Sequence, residues 1–161
     1  MKYRTVLIIA LAVFLSGCAF HRTPYPMYQG NQPLSTTTVF SSLDNNQTKH
    51  VEARITHVNG KETSCFEVGC PYWVRVLPGA NRFTIRYATN FSLGVGVITH
   101  NYAVIDVDVA DMRPSHVYVA RYSERGSRVS VQVEDLGGRP KYGITLGLDG
   151  VNKAYYPVQF D

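Results

Sequence analysis

From Val51 onward, apolar and polar residues alternate with period two over most of the chain. Val51, Ala53 and Ile55 fall on one parity, and Glu52, Arg54 and Thr56 on the other. Successive side chains of an extended strand point to opposite faces, so this alternation predicts half-buried strands. The pattern recurs with Tyr72, Val74 and Val76 against Trp73, Arg75 and Leu77, and with Phe83, Ile85 and Tyr87 against Thr84 and Arg86. Ala103, Ile105, Val107 and Val109 alternate with Val104, Asp106 and Asp108. Val117 and Val119 lead to a turn at Glu124-Arg125-Gly126-Ser127, and Val129, Val131 and Val133 then alternate with Arg128, Ser130, Gln132 and Glu134. Asn59-Gly60, Pro78-Gly79 and Gly137-Gly138 punctuate the runs as turns. No window carries an amphipathic helix of three turns. About seven short strands predict an all-β fold, a single sandwich or small barrel. One polar face per strand predicts antiparallel pairing.

The N-terminus follows a different pattern. Lys2 and Arg4 precede the apolar run Val6 to Leu15, and the small residues Ser16 and Gly17 precede Cys18. A charged n-region, an apolar h-region and small residues at the cleavage point are the parts of a secretory signal. The run is about half the roughly 20 residues a spanning helix needs. Leu15-Ser16-Gly17-Cys18 resembles the lipobox of bacterial lipoproteins. That resemblance implies removal of residues 1–17 and lipidation of Cys18 by a diacylglycerol, usually with a third chain on its amino group. Each buried methylene contributes about 0.8 kcal/mol, so several chains anchor a protein durably where one does not. In this family an aspartate after the cysteine commonly retains the protein at the inner membrane. Ala19 stands there instead, which implies the outer membrane, facing the periplasm.

The remaining chain divides into a polar, proline-bearing segment to residue 35, expected to be a flexible tether, and a domain at 36–161. Tyr25, Met27 and Tyr28 are the tether residues able to dock on the domain instead. Ser41 to Lys49 is polar and expected to be a loop. Removing Lys2 and Arg4 takes the basic residues from 16 to 14 against 12 acidic, so the net charge falls from +4 to +2. Such a small excess makes no case for nucleic acid. Eleven of the sixteen basic residues are arginine, which favours planar, bidentate contacts with anions.

Cys65 and Cys70 are the other cysteines. In an oxidising compartment they are expected to form a disulfide, which requires the chain between them to turn back, as Gly69 and Pro71 allow. Free thiols or a metal pair are the alternatives; metal pairs usually bring further ligands nearby.

Motifs for chemistry are sparse. The chain has no G-x-S-x-G, H-E-x-x-H, P-loop or G-x-G-x-x-G, and no cofactor is implied. His21 lies in the tether and His100 in an expected hairpin turn. His50, His57 and His116 sit at strand edges, and His57 shares the apolar parity of its strand, as a core histidine would. Asp106, Asp108 and Asp111 could gather calcium, but they lack a glycine-bearing ligand loop and read as a solvated strand face. Arg75, Arg86 and Arg128 fall on the outward parity of their strands, with Arg82 and Arg121 nearby. If the strands are neighbours they form a basic strip interleaved with Trp73 and Tyr118, suited to an anionic glycan, lipid headgroup or acidic segment. Cross-strand pairing with Asp106 and Asp108 is the competing expectation. Phe91-Ser92-Leu93-Gly94-Val95-Gly96-Val97 is an apolar strand thinned by glycines, as a docking edge or a closely packed core strand would be.

Tyr72 to Tyr87, with Pro78-Gly79 at its centre, resembles the strand–PG–strand hairpin of PEGA-like envelope domains. His116 to Tyr122 and the valine-rich strand after it resemble later strands of small envelope lipoproteins. The resemblance spans roughly Val51 to Asp135. It departs at Ala80-Asn81, where those families carry glycine followed by histidine or lysine, and at an insertion from Phe91 to Tyr102. It implies a β-sandwich and no enzymatic activity. The expected function is that of a non-enzymatic, lipid-anchored periplasmic accessory or scaffold module, with another envelope protein as partner. A binding module for an anionic cell-wall or lipid ligand is the alternative, and an enzyme or enzyme inhibitor a more distant one.

Overall fold

A computed structural model describes residues 22–43, 51–65, 69–92, 98–147 and 150–161. Eleven strands are present among them: β1 (Tyr25–Pro26), β2 (Thr38–Ser41), β3 (Val51–Val58), β4 (Lys61–Glu62), β5 (Trp73–Val76), β6 (Gly79–Ser92), β7 (Ile98–Met112), β8 (His116–Arg125), β9 (Arg128–Gly138), β10 (Gly143–Leu146) and β11 (Ala154–Pro157). A single 3-10 turn covers Leu34–Thr36. A five-stranded sheet has the order β1-β5-β2-β8-β9, and a four-stranded sheet the order β4-β3-β6-β7. The fold is the expected all-β sandwich.

Phe40, Val74, Val76, Tyr118 and Ala120 of the five-stranded sheet pack against Ile55, Phe83, Ile85, Tyr87 and Met112 of the other. This is the main core, and each large apolar side chain within it contributes about 1.5–3 kcal/mol through burial. The alternation in β3, β6, β7 and β9 has the expected cause: one face meets the core and the other meets water.

The centre of the five-stranded sheet differs. All four residues of β2 and all four of β5 are buried. A third layer accounts for this. The β10–β11 hairpin and the C-terminal residues cover the outer face, where Val39, Trp73, Val117 and Val119 meet Tyr142, Ile144 and Phe160. Pairing is correspondingly mixed, because β1 runs parallel to β5 and β2 parallel to β8. Parallel pairing is tolerated where both faces are covered.

Four expectations need correction. Pro78-Gly79 does not close a hairpin: β5 belongs to one sheet and β6 to the other, so the chain crosses the sandwich there. The turn is clasped from outside its own strands, since Asn59 Nδ2 donates to Asn81 Oδ1 (2.9 Å) and Asn59 Oδ1 accepts from the Arg82 N–H (2.8 Å). A register shift between Ile55 and His57 reverses parity in β3, so Val58, not His57, enters the core. His100 lies in the β6–β7 ladder opposite Asn90, not in a turn. Finally, the described part of the expected tether is docked: β1 extends the five-stranded sheet, Pro24 is buried, and Tyr25 and Met27 pack on the core.

Candidate functional site

The residues expected to meet in an arginine strip are dispersed. Arg86 is exposed on the four-stranded sheet, opposite Arg54 on β3 and Val104 on β7. Arg128 is exposed where the β8–β9 hairpin turns, opposite Arg125. Arg75 is only 4% exposed, beneath the C-terminal segment. Tyr118 points instead into the main core, and Trp73 is buried with Arg75 on the outer face. Outward parity did not mean solvent, because the third layer covers this face.

The competing expectation, cross-strand neutralisation, holds at Arg82. Its Nε and Nη2 donate to the two carboxylate oxygens of Asp108 at 2.7 and 2.9 Å. That fork holds the Asp108 carboxyl below its ordinary pKa and raises Arg82. Asp106 accepts from the Thr84 hydroxyl at 2.7 Å, and Arg121 is paired with Glu134 at 2.8 Å. Among the described residues no group of three acidic, histidine or cysteine side chains gathers around a common point.

Cys65 and Cys70 are joined by a disulfide. Arg54 buttresses it: Nη1 donates to the Cys70 carbonyl at 3.0 Å, and the guanidinium lies on the Tyr72 ring, 3.6 Å from its centroid. Glu52 accepts from Arg54 Nε at 2.7 Å. Cys18, His21, His50 and the glycine-bearing Leu93 to Val97 lie outside the described residues.

His116 stands with an acid. Its Nδ1 is 2.9 Å from Asp135 Oδ1, which also accepts from the Gly137 N–H at 2.8 Å. Burial pushes the Asp135 carboxyl up, but the Gly137 N–H and His116 outweigh it and leave the pKa below its ordinary value. The neighbouring hydroxyl, Ser115 Oγ, donates to the Ser35 carbonyl at 2.8 Å. The histidine–aspartate pair therefore ties β8 to β9, with its adjacent hydroxyl committed elsewhere.

The concave feature of most interest is a groove of about 430 Å³ between the N-terminal and C-terminal segments. Arg22, Thr23 and Tyr28 line it from one segment and Tyr156 and Gln159 from the other, with Arg75 contributed by β5. Arg75 Nη1 donates to Thr37 Oγ1 at 2.9 Å and Nη2 to the Gln159 carbonyl at 2.6 Å. Its guanidinium carbon also lies 5.2 Å from the Phe160 ring centroid. Arg22 lies 5.7 Å from the ring centroid of Tyr156. Parity correctly singled out Arg75 as opposite the main core, but Arg22 was missed because it falls in a stretch without periodicity. Compared with known protein families, curated proteins and solved structures, the chain matches none.

Proposed function

We propose that this chain is a non-enzymatic, lipid-anchored envelope protein, acylated at Cys18 and held at the outer membrane facing the periplasm. Its sandwich would act as an accessory or scaffold module for another envelope protein. The observation that carries this reading is how soon the chain docks after the lipidation position. Arg22 is four residues beyond Cys18, a span of at most about 14 Å when fully extended. A lipid on Cys18 therefore holds the groove side of the sandwich against the bilayer instead of leaving the domain on a long tether. The Cys65–Cys70 disulfide suits the oxidising periplasm.

The surface offered to a partner is the edge of the four-stranded sheet. Among the described residues β7 pairs only with β6, and it carries Tyr102 and Val104, both largely exposed. A long strand with one unpaired side is a template for strand addition.

In-cell photo-crosslinking of the full-length protein, with the reactive group at position 104, tests the reading. Capture of one abundant envelope protein, lost when Cys18→Ser abolishes anchoring, is the expected result. Adducts with glycan or lipopolysaccharide alone, or no adducts, would exclude the scaffold role. The anionic-ligand alternative no longer has a strip to rest on, but Arg75 and Arg22 in the groove favour it as a second reading.

A further inference from the structure

The groove combines three features that point to one ligand chemistry. First, Arg75 is a buried cation whose two hydrogen bonds go to neutral oxygens, the Thr37 hydroxyl and the Gln159 carbonyl. Among the described residues no carboxylate pairs with it, and a guanidinium has further N–H donors to offer. Burying an ion without a counter-charge is unfavourable. Here burial lowers the Arg75 pKa, with Tyr28 acting in the opposite direction. Second, Arg22 brings another guanidinium to the same groove, and among the described residues no acidic side chain lines it. Third, the remaining walls include tyrosine, proline and leucine side chains, which suit an apolar substituent.

We infer that this groove is a binding site for a phosphate group, held by the guanidiniums of Arg75 and Arg22, with the rings of Tyr28 and Tyr156 beside whatever the phosphate carries. Two cations without an acid match a doubly charged oxyanion. A phosphate monoester carries roughly −1.5 to −2 near pH 7, and the planar guanidinium fork fits its oxygens. A single carboxylate would leave one of the two cations uncompensated. The phosphate could belong to a membrane lipid headgroup or to a soluble monoester. The site deepens the anionic-ligand reading, and a lipid source additionally requires the anchor at Cys18, which would place Arg22 at headgroup depth.

Isothermal titration of the full-length protein in non-ionic detergent, with inorganic phosphate and with water-soluble dihexanoyl phosphatidic acid, tests the site. Saturable binding of both is expected, weakened at least tenfold by Arg22→Ala, an exposed position whose loss should leave the melting temperature unchanged. Arg75→Lys, which keeps the charge and removes the fork, should weaken binding similarly if it melts like the wild type. If it does not, Arg22→Ala decides alone. Phosphatidic acid binding at least tenfold tighter than phosphate identifies a lipid, and comparable affinities identify a soluble monoester. Repeating the titration with Cys18→Ser separates the site from the anchor, because binding should persist when acylation is lost. Failure of both probes to bind, affinity unchanged by Arg22→Ala, or acetate binding as tightly as phosphate would overturn the assignment.

Discussion

Phe40 on β2 and Phe83 on β6 stack between the two sheets, with ring centroids 3.8 Å apart and ring planes 6° apart. Both are fully buried, so each ring fills space that only the opposite sheet supplies. Phe83→Ala should lower the unfolding free energy by about 3–5 kcal/mol, the usual range for deleting a core aromatic. Urea unfolding followed by circular dichroism would measure it. A loss below about 1 kcal/mol would mean that the sheets are not held together here.

Arg54 links the disulfide to the outer face of β3, through the Cys70 carbonyl and the Tyr72 ring. The loop closed by the disulfide is short, so the chain-entropy contribution is about 2 kcal/mol. Cys65→Ser with Cys70→Ser should destabilise by that order, and reductant should do the same to the wild type. Because Arg54 holds the backbone of Cys70 itself, Arg54→Ala should cost less in the cysteine-free background than in the wild type. A double-mutant cycle with an interaction energy near zero would refute this coupling.

How far this architecture could be read from sequence depended on what covers each strand. Period two was legible in β3, β6, β7 and β9, because each has one wet and one dry face. It failed to place Arg75 and Trp73, whose strand is covered on both sides by segments far along the chain. That covering layer went unread, although Gly143-Ile144-Thr145-Leu146 and Ala154-Tyr155-Tyr156-Pro157 are short runs of the strand kind. Pro78-Gly79 was legible as a turn. Which sheet received the next strand was not, since long-range burial decides it and turn chemistry does not. The groove was the least legible feature: its two arginines are 53 positions apart and are brought together only when residues 22–28 dock.

Acid should weaken the clasp between β8 and β9. The folded Asp135 carboxyl lies below its ordinary value of 3.8, so on acidification the unfolded chain takes up this proton first. Its stabilisation is present above about pH 3.8 and is lost as pH falls through the lower, folded value. Removing one of the groups that lower it, by His116→Ala, should move the Asp135 titration measured by carboxyl carbon-13 NMR to higher pH. An unmoved titration would show that the Gly137 N–H and the Tyr118 hydroxyl set it without His116.

Arg75 and Arg86 share the same parity signature in sequence and should behave oppositely on mutation. Arg86→Glu alters an exposed side chain, and its effect on stability should stay within about 0.5 kcal/mol. Arg75→Ala removes the donor to the Gln159 carbonyl and the cation beside Phe160. It should destabilise by about 1–3 kcal/mol, the range for breaking a buried hydrogen-bond network, and should speed trimming of the C-terminus by carboxypeptidase. Equal effects of the two substitutions would contradict the burial of Arg75.

Gly143 shows how closely the two strands of the third layer approach each other. It heads β10 opposite Pro157. A Cβ placed on it would collide with the Tyr156 carbonyl oxygen and lie 2.7 Å from the Tyr155 ring and 2.8 Å from the Pro157 Cα. Two of these neighbours are backbone, so relief requires the β10–β11 hairpin to open. Gly143→Ala should therefore destabilise by about 1–3 kcal/mol, as overpacking does. Trp73, the only tryptophan in the chain, lies in the cluster beneath this hairpin and reports on it directly. Its emission should shift to the red in Gly143→Ala as water reaches the indole. Wild-type emission together with a wild-type melting temperature would show that β10 and β11 accommodate the methyl group without opening the hairpin.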